Sequence, residues 1–314
     1  MIELTSQQID SSEVLGVAVP WPVPAFLEKS EHVPEMDPAF RLMDEPSRAI
    51  LMGFAHNRRV YIHGPHGSGK TSHIEQIAAR LNWPVLRINL DGQITRADLI
   101  GRDMVLLRDG RQVTEYVPGL LVWAIQRPIC LIFDEYDAGR PDVMFVVQRL
   151  LESDGRFTLL DKNEVIVPHP YFRLFATGNT AGQGDSTGDY VGTQLINQAQ
   201  MDRWQVIVEL DYPAEQVEVD ILESHFKGSD TGLIRDVVKF ARLCRESFRH
   251  GDLSVLMSLR TSITVIENCS LLGDLSLAVR LSFGNRCDAA EKAILSELYQ
   301  RCFDAELVWP GTGA

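Results

Sequence analysis

Residues 64–71 read Gly64-Pro65-His66-Gly67-Ser68-Gly69-Lys70-Thr71, with Ser72 next in line. The run fits G-x-x-x-x-G-K-[ST], the pattern of a loop that cradles phosphate. Glycines let the backbone curl so that successive N–H groups face inward as an anion nest. A helix that starts where the loop ends adds the positive end of its dipole at the same spot. Lys70 reaches the β- and γ-phosphates as a point charge, and the Thr71 hydroxyl can ligate Mg²⁺. A chance glycine-rich turn lacks the flanking elements, which are both present here. Arg59 to His63 (RVYIH) reads as a short buried strand, and over Gly69 to Leu81 the residues Ile74, Ile77, Ala78 and Leu81 recur on one helical face.

The same alternation continues on both sides. Glu45 to His56 predicts a helix, and Val85 to Leu90 a second strand. Ile129 to Phe133 is a third strand, continuous and apolar as one covered on both faces should be. Val143, Val146, Val147, Leu150 and Leu151 place a helix over Asp142 to Asp154, and Phe172 to Ala176 and Gln205 to Leu210 complete five strands. Strands alternating with helices predict an α/β core of three layers, a parallel sheet between helices. Two hairpins interrupt it. One is Met104 to Tyr116 around Asp109-Gly110, and the other is Phe157 to Val167 around Asp161-Lys162-Asn163. From Pro213 the strand signal ends and a helical bundle is expected. Prolines at 20, 22, 24, 34 and 38 predict an irregular start. The expected organisation is therefore 1–45 irregular, 46–212 core and 213–314 helical.

Asp134-Glu135 ends the third strand. A carboxylate at the C-terminal edge of a parallel strand points into the crevice where ligands bind. Asp134 is expected to hold Mg²⁺ through water and Glu135 to polarise the attacking water; alone, the pair would read as a cap on the next turn. Asn179, in LFATGNT, can orient that water from the strand between the other two. Arg203, in Met201-Asp202-Arg203-Trp204, could reach a neighbouring subunit's nucleotide, where such an arginine is worth roughly 10³–10⁵ in rate. As a surface pair with Asp202 it would be worth about 0–1 kcal/mol.

Composition narrows the function. The 314 residues carry 30 Lys plus Arg against 43 Asp plus Glu, a net charge of −13, which disfavours wholesale binding to nucleic-acid phosphates or an anionic bilayer. Val14 to Leu27, uncharged but short and broken by prolines, is no membrane span, and Met1 to Ile9 has no basic region of a secretory leader. Five scattered cysteines, 130, 244, 269, 287 and 302, contain no Cys-x-x-Cys and suit a reducing, cytoplasmic compartment.

With the loop, the Asp-Glu pair, Asn179 and Arg203 in this order, the chain resembles an AAA+ ATPase, and its two hairpins resemble the insertions of the MoxR and magnesium-chelatase branch. SEHVPE at 30–35, HIEQIAARLNWP at 73–84, FDEYDAGRPDVMFVVQR at 133–149, PHPYFRLFATGNT at 168–180 and NQAQMDRW at 197–204 resemble the CobS-type ATPase subunits of aerobic cobaltochelatase. The likeness runs from about residue 20 to the Arg260 region, and the loop keeps every chemical role where the family's YHGTGKS is replaced by PHGSGKT. The resemblance implies a helical lid over the nucleotide, with Arg260 sensing its state. It further implies a ring, with six copies expected, and ATP-driven insertion of cobalt into a corrin ring. The implied partners are a CobT-type subunit with a von Willebrand-like metal-binding domain and a large chelatase subunit.

Three signals stay open at this level. His63, His66 and His73 cluster about the loop, but no carboxylate or cysteine shares their spacing, so ordinary loop histidines are expected. Arg235, Lys239, Arg242, Arg245 and Arg249 fall on one helical stripe, either a solvated face or a dock for an acidic partner. Gly182 to Gln194 is either an interface loop that orders with nucleotide or a plain surface loop. Rival functions are a MoxR-type chaperone or activase, a nucleic-acid motor, and a non-catalytic scaffold. The charge weighs against the second and the complete residue set against the third.

Overall fold

The computed structural model describes residues 4–152, 155–184 and 192–310. The chain opens on a two-stranded antiparallel ribbon, β1 (Ser6–Ile9) and β2 (Val23–Phe26), with the short helix α1 (Ser11–Leu15) between them. This corrects the expectation of an irregular segment over 1–45. Pro24 faces Gln8 in a ribbon of only two strands, where a missing N–H is tolerated. Val23, Ala25 and Phe26 are buried against the main core, so apolar burial outweighs the proline signal.

The core then runs α2 (Asp44–His56), β3 (Val60–His63), α3 (Lys70–Arg80), β4 (Val85–Asn89) and α4 (Arg96–Ile100). A hairpin follows, β5 (Gly101–Arg108) with β6 (Arg111–Pro118), then α5 (Leu120–Ile125), β7 (Cys130–Asp134) and α6 (Pro141–Leu151). A second hairpin pairs β8 (Phe157–Leu159) with β9 (Glu164–Ile166), before β10 (Arg173–Gly178), α7 (Gln198–Met201) and β11 (Val206–Glu209). Asp109 and Gly110 both take positive φ at the first hairpin's two-residue turn, as its tightness requires. The expected helix end at Asp154 and residues 185–191 of the Gly182 to Gln194 loop lie outside the described residues.

Five strands form one parallel sheet in the order β11-β3-β10-β7-β4. Along β7, Cys130 and Ile132 join the apolar layer with α2 and α3, while Leu131 and Phe133 join the layer with α5 and α6. That two-sided burial is why the sequence of β7 is continuously apolar, whereas the edge strands β4 and β11 are only partly buried and each include polar residues. Because β10 lies between β3 and β7, the ends of these three strands put the phosphate loop, Asp134 and the residues after Gly178 side by side.

The described residues fall into two compact units. One comprises the described residues of 4–38, 42–65 and 69–210, and the other those of 39–41, 66–68 and 211–310. The second is helical, with α8 (Glu215–His225), α9 (Thr231–His250), α10 (Leu259–Leu272), α11 (Leu275–Ser282) and α12 (Ala289–Phe303) about its own apolar core. Here the stripe on α9 needs correction. Arg245 is only 3% exposed, forks onto Glu218 of α8 at 2.8 and 2.9 Å and donates Nε to the Met257 carbonyl. Arg242 meets Glu215 at 3.4 Å and Arg249 meets Asp211 at 3.2 Å. Helical spacing aligned these arginines, but carboxylates from an earlier segment take up three of the five.

Candidate active site

The loop is built by close approach. Gly64 has φ 147°, and a Cβ there would fall 2.1 Å from the Leu210 carbonyl oxygen, so no side chain fits. Gly69 caps α3 from the left-handed region, φ 93°, which turns the chain into the helix. Lys70, the first residue of α3, folds its ammonium back onto the carbonyls of Gly64 and Pro65 at 2.7 and 2.9 Å and onto Asn179 Oδ1 at 3.1 Å. The lysine and the amide expected to face the terminal phosphate are thus in contact across 109 residues of sequence.

Thr71 donates to Asp134 Oδ1 at 2.8 Å. The same oxygen accepts from Thr177 of β10, and Oδ2 is bonded to Arg87 of β4. Burial alone would raise the Asp134 carboxyl, but the hydroxyls of Thr177 and Thr71 and the Arg87 guanidinium outweigh it and hold the group below its ordinary range. Glu135 is exposed and carries φ 54°, an uncommon backbone for a side chain of this size and one expected at functional sites.

Sequence reasoning missed three residues here. Thr177 and Arg87 are polar residues in strands, and only strand register brings them to Asp134. Asp137 is the third. It is 1% exposed, and its Oδ2 accepts from the backbone N–H groups of Asn179 and Thr180, both at 2.8 Å, and from the Thr180 hydroxyl at 3.1 Å. Its Oδ1 is buried with no hydrogen-bond partner among the described residues. A carboxylate three residues after Asp134 in FDEYD was the available signal.

The residues suit a nucleotide with a hard cation. Thr71 and Asp134 offer the oxygen donors that Mg²⁺ prefers, and Lys70 offers a cation to phosphate. Ser72 is exposed on the first turn of α3, as are His66 and, less so, Pro65 and Gly67 in the loop. His73 is structural. Its Nε2 accepts from the Met43 N–H at 3.1 Å, its Nδ1 meets the Gly69 carbonyl at 3.2 Å, and burial lowers its pKa to about 4. Among the described residues no group of three His, Cys, Asp or Glu is arranged to hold a metal.

Two further arginines were expected to serve the nucleotide. Arg203, in the sheet unit, donates Nε to Glu152 at 2.6 Å and Nη1 to the Ala199 carbonyl. Arg260 is exposed on the first turn of α10, in the helical unit.

Residues 59–191 match the family model of the AAA domain, dynein-related subfamily. The aerobic cobaltochelatase subunit CobS of Sinorhizobium sp is 52% identical over 308 residues, 97% of this chain and 93% of that protein. Protein CbbQ of Hydrogenophilus thermoluteolus is 26% identical over 223 residues, 71% of this chain and 79% of CbbQ. Among solved structures, the RuvB Holliday junction branch migration motor of Thermotoga maritima superposes with a TM-score of 0.48 at 14% identity, over 79% of this chain and 69% of RuvB. An α/β core with a parallel sheet, a phosphate loop facing a strand-end Asp-Glu pair, and identity above one half over nearly the whole length lead to one assignment: the chain is an AAA+ ATPase and belongs to the CobS family.

Proposed function

We propose that the chain hydrolyses ATP as the motor subunit of an aerobic cobaltochelatase, driving cobalt into a corrin ring by remodelling its partner subunits. The observation that carries this reading is the 52% identity to CobS over 97% of the chain. Backbone N–H groups of Gly64 to Ser72 and the Lys70 ammonium bind the phosphates. Thr71 and Asp134 would hold Mg²⁺, which neutralises charge building on the phosphate oxygens. Glu135 takes the proton of the attacking water, and the Asn179 amide orients that water. Glu152 and the Ala199 carbonyl fix the Arg203 guanidinium so that it can serve the nucleotide of a neighbouring copy in a ring, with six copies as the working number, and Arg260 responds to nucleotide state. The partners are a CobT-type subunit with a von Willebrand-like domain and a large chelatase subunit. Five free cysteines favour a cytoplasmic setting. Among the described residues no helix is long and apolar enough to cross a membrane.

The test combines the full chain with both partner subunits, Co²⁺, a corrin and ATP, and follows phosphate release together with the metallated product. Cobalt insertion that needs ATP and stops in Lys70→Ala supports the reading. Phosphate release with no insertion, together with activation of some other enzyme, moves the assignment to a MoxR-type activase. The likeness to CbbQ, a differently named relative, is the observation that favours carrying that second reading.

A further inference from the structure

Asp134 is held by a cation that belongs to the chain itself. Its side chain is 9% exposed, its Oδ1 is shared by two hydroxyls, and its Oδ2 is taken by Arg87. Arg87 stands on the edge strand β4, opposite Ile132 and two residues before Asn89, which pairs with Asp134 in the register. Its side chain is 49% exposed, so it is anchored at the guanidinium and open along its flank.

A divalent ion and a guanidinium repel each other strongly at a shared carboxylate in a partly desolvated crevice. A cation drawn to Asp134 therefore competes with Arg87 for that carboxylate. We infer that Arg87 is a resident counter-ion of Asp134 that competes with the divalent cation there. Without metal the pair keeps a buried carboxylate from facing the phosphates uncompensated. The competition sets how much the cation adds to nucleotide affinity. The inference rests on the reading of Asp134 as the carboxylate that holds the ion.

The test measures the dissociation constant of a non-hydrolysable β,γ-imido ATP analogue for the full chain, once in Mg²⁺ and once in EDTA, and takes the ratio. Arg87→Ala exposes Asp134 to the phosphates in EDTA and removes the competitor in Mg²⁺, so the ratio rises, by roughly tenfold for one lost charge pair. Arg87→Gln, which keeps most of the bulk, shifts it the same way and guards against a folding defect. A ratio unchanged or reduced by Arg87→Ala and Arg87→Gln overturns the inference. Asp134→Asn separates the two levels: if it keeps the full Mg²⁺ enhancement, the reading of Asp134 itself fails.

Discussion

Asp134 and Glu218 are both buried carboxylates bonded to an arginine, one in the sheet unit and one in the helical unit. Glu218 is 1% exposed and meets a guanidinium that is closed on every side. The fork onto Glu218 is bidentate, Nε donates to the Met257 carbonyl at 2.7 Å, and the Tyr212 ring lies 3.9 Å from the guanidinium carbon. Asp134 meets a half-exposed guanidinium and two hydroxyls, one of them on the helix that opens at the phosphate loop. A pair sealed on both partners fixes where helices lie, and removing one member strands a buried charge. A pair open on the arginine side can exchange partners, which is the property the competition proposed for Asp134 requires.

The contrast breaks most widely at Glu135, which is exposed and contributes nothing to either core. Glu135→Gln is expected to lower phosphate release by about 10²–10⁴-fold, the usual worth of a positioned general base. The urea midpoint and the analogue affinity stay at the parent values. Turnover at the parent rate removes Glu135 from the chemistry and leaves the crevice without its proposed base.

Arg245→Ala should do the reverse. Breaking a buried pair by removing one partner costs about 3–5 kcal/mol, because Glu218 is left charged and unsatisfied. The expected result is a large fall in the urea midpoint of the helical unit. Glu218→Leu paired with Arg245→Met, apolar and neutral together, recovers much of the loss. A single variant that unfolds like the parent would mean the guanidinium is replaced by water, and the comparison would lose its structural half.

What the sequence made legible divides along the same line. The phosphate loop and the apolar strand β7 are local patterns: eight consecutive residues in one case, five in the other, with meaning that does not depend on distant chain. Parallel order follows from alternation, and with it the placement of Asp134 and Asn179. The residues that escaped are those whose partners come from elsewhere. Arg245 looked like one of a solvent stripe because Glu218 lies 27 residues earlier. Arg87 and Thr177 look like unremarkable strand residues until register sets them on one carboxylate. The ribbon of β1 and β2 was hidden because its prolines are visible locally and its burial against Leu81 and Trp83 is not.

Asp137 sharpens the comparison as a buried carboxylate bonded to backbone rather than to arginine. Asp137→Ala releases two N–H groups at Asn179 and Thr180 and lets the amide side chain drift from Lys70. Phosphate release is expected to fall by roughly tenfold to a hundredfold, as for removal of a group that orients a reacting one. Asp137→Asn, which keeps an acceptor for both N–H groups, stays near the parent. Combined with Asn179→Ala, the Asp137→Ala change adds little, since both act through one amide. Full additivity would show that Asp137 works by another route.

The smallest effect separates two arginines of one helix. Arg242 is one turn from Arg245, but its pair with Glu215 is 3.4 Å long and partly exposed. Such pairs contribute about 0–1 kcal/mol. Arg242→Glu therefore shifts the urea midpoint little, even though it places like charges together, and a rise in salt shrinks the shift further by screening. Sedimentation of this single variant also probes assembly without touching Arg245, whose loss is expected to destabilise the helical unit. Normal stability with a smaller sedimenting species would make Arg242 an assembly contact; an unchanged species leaves it a solvated neighbour of a structural residue.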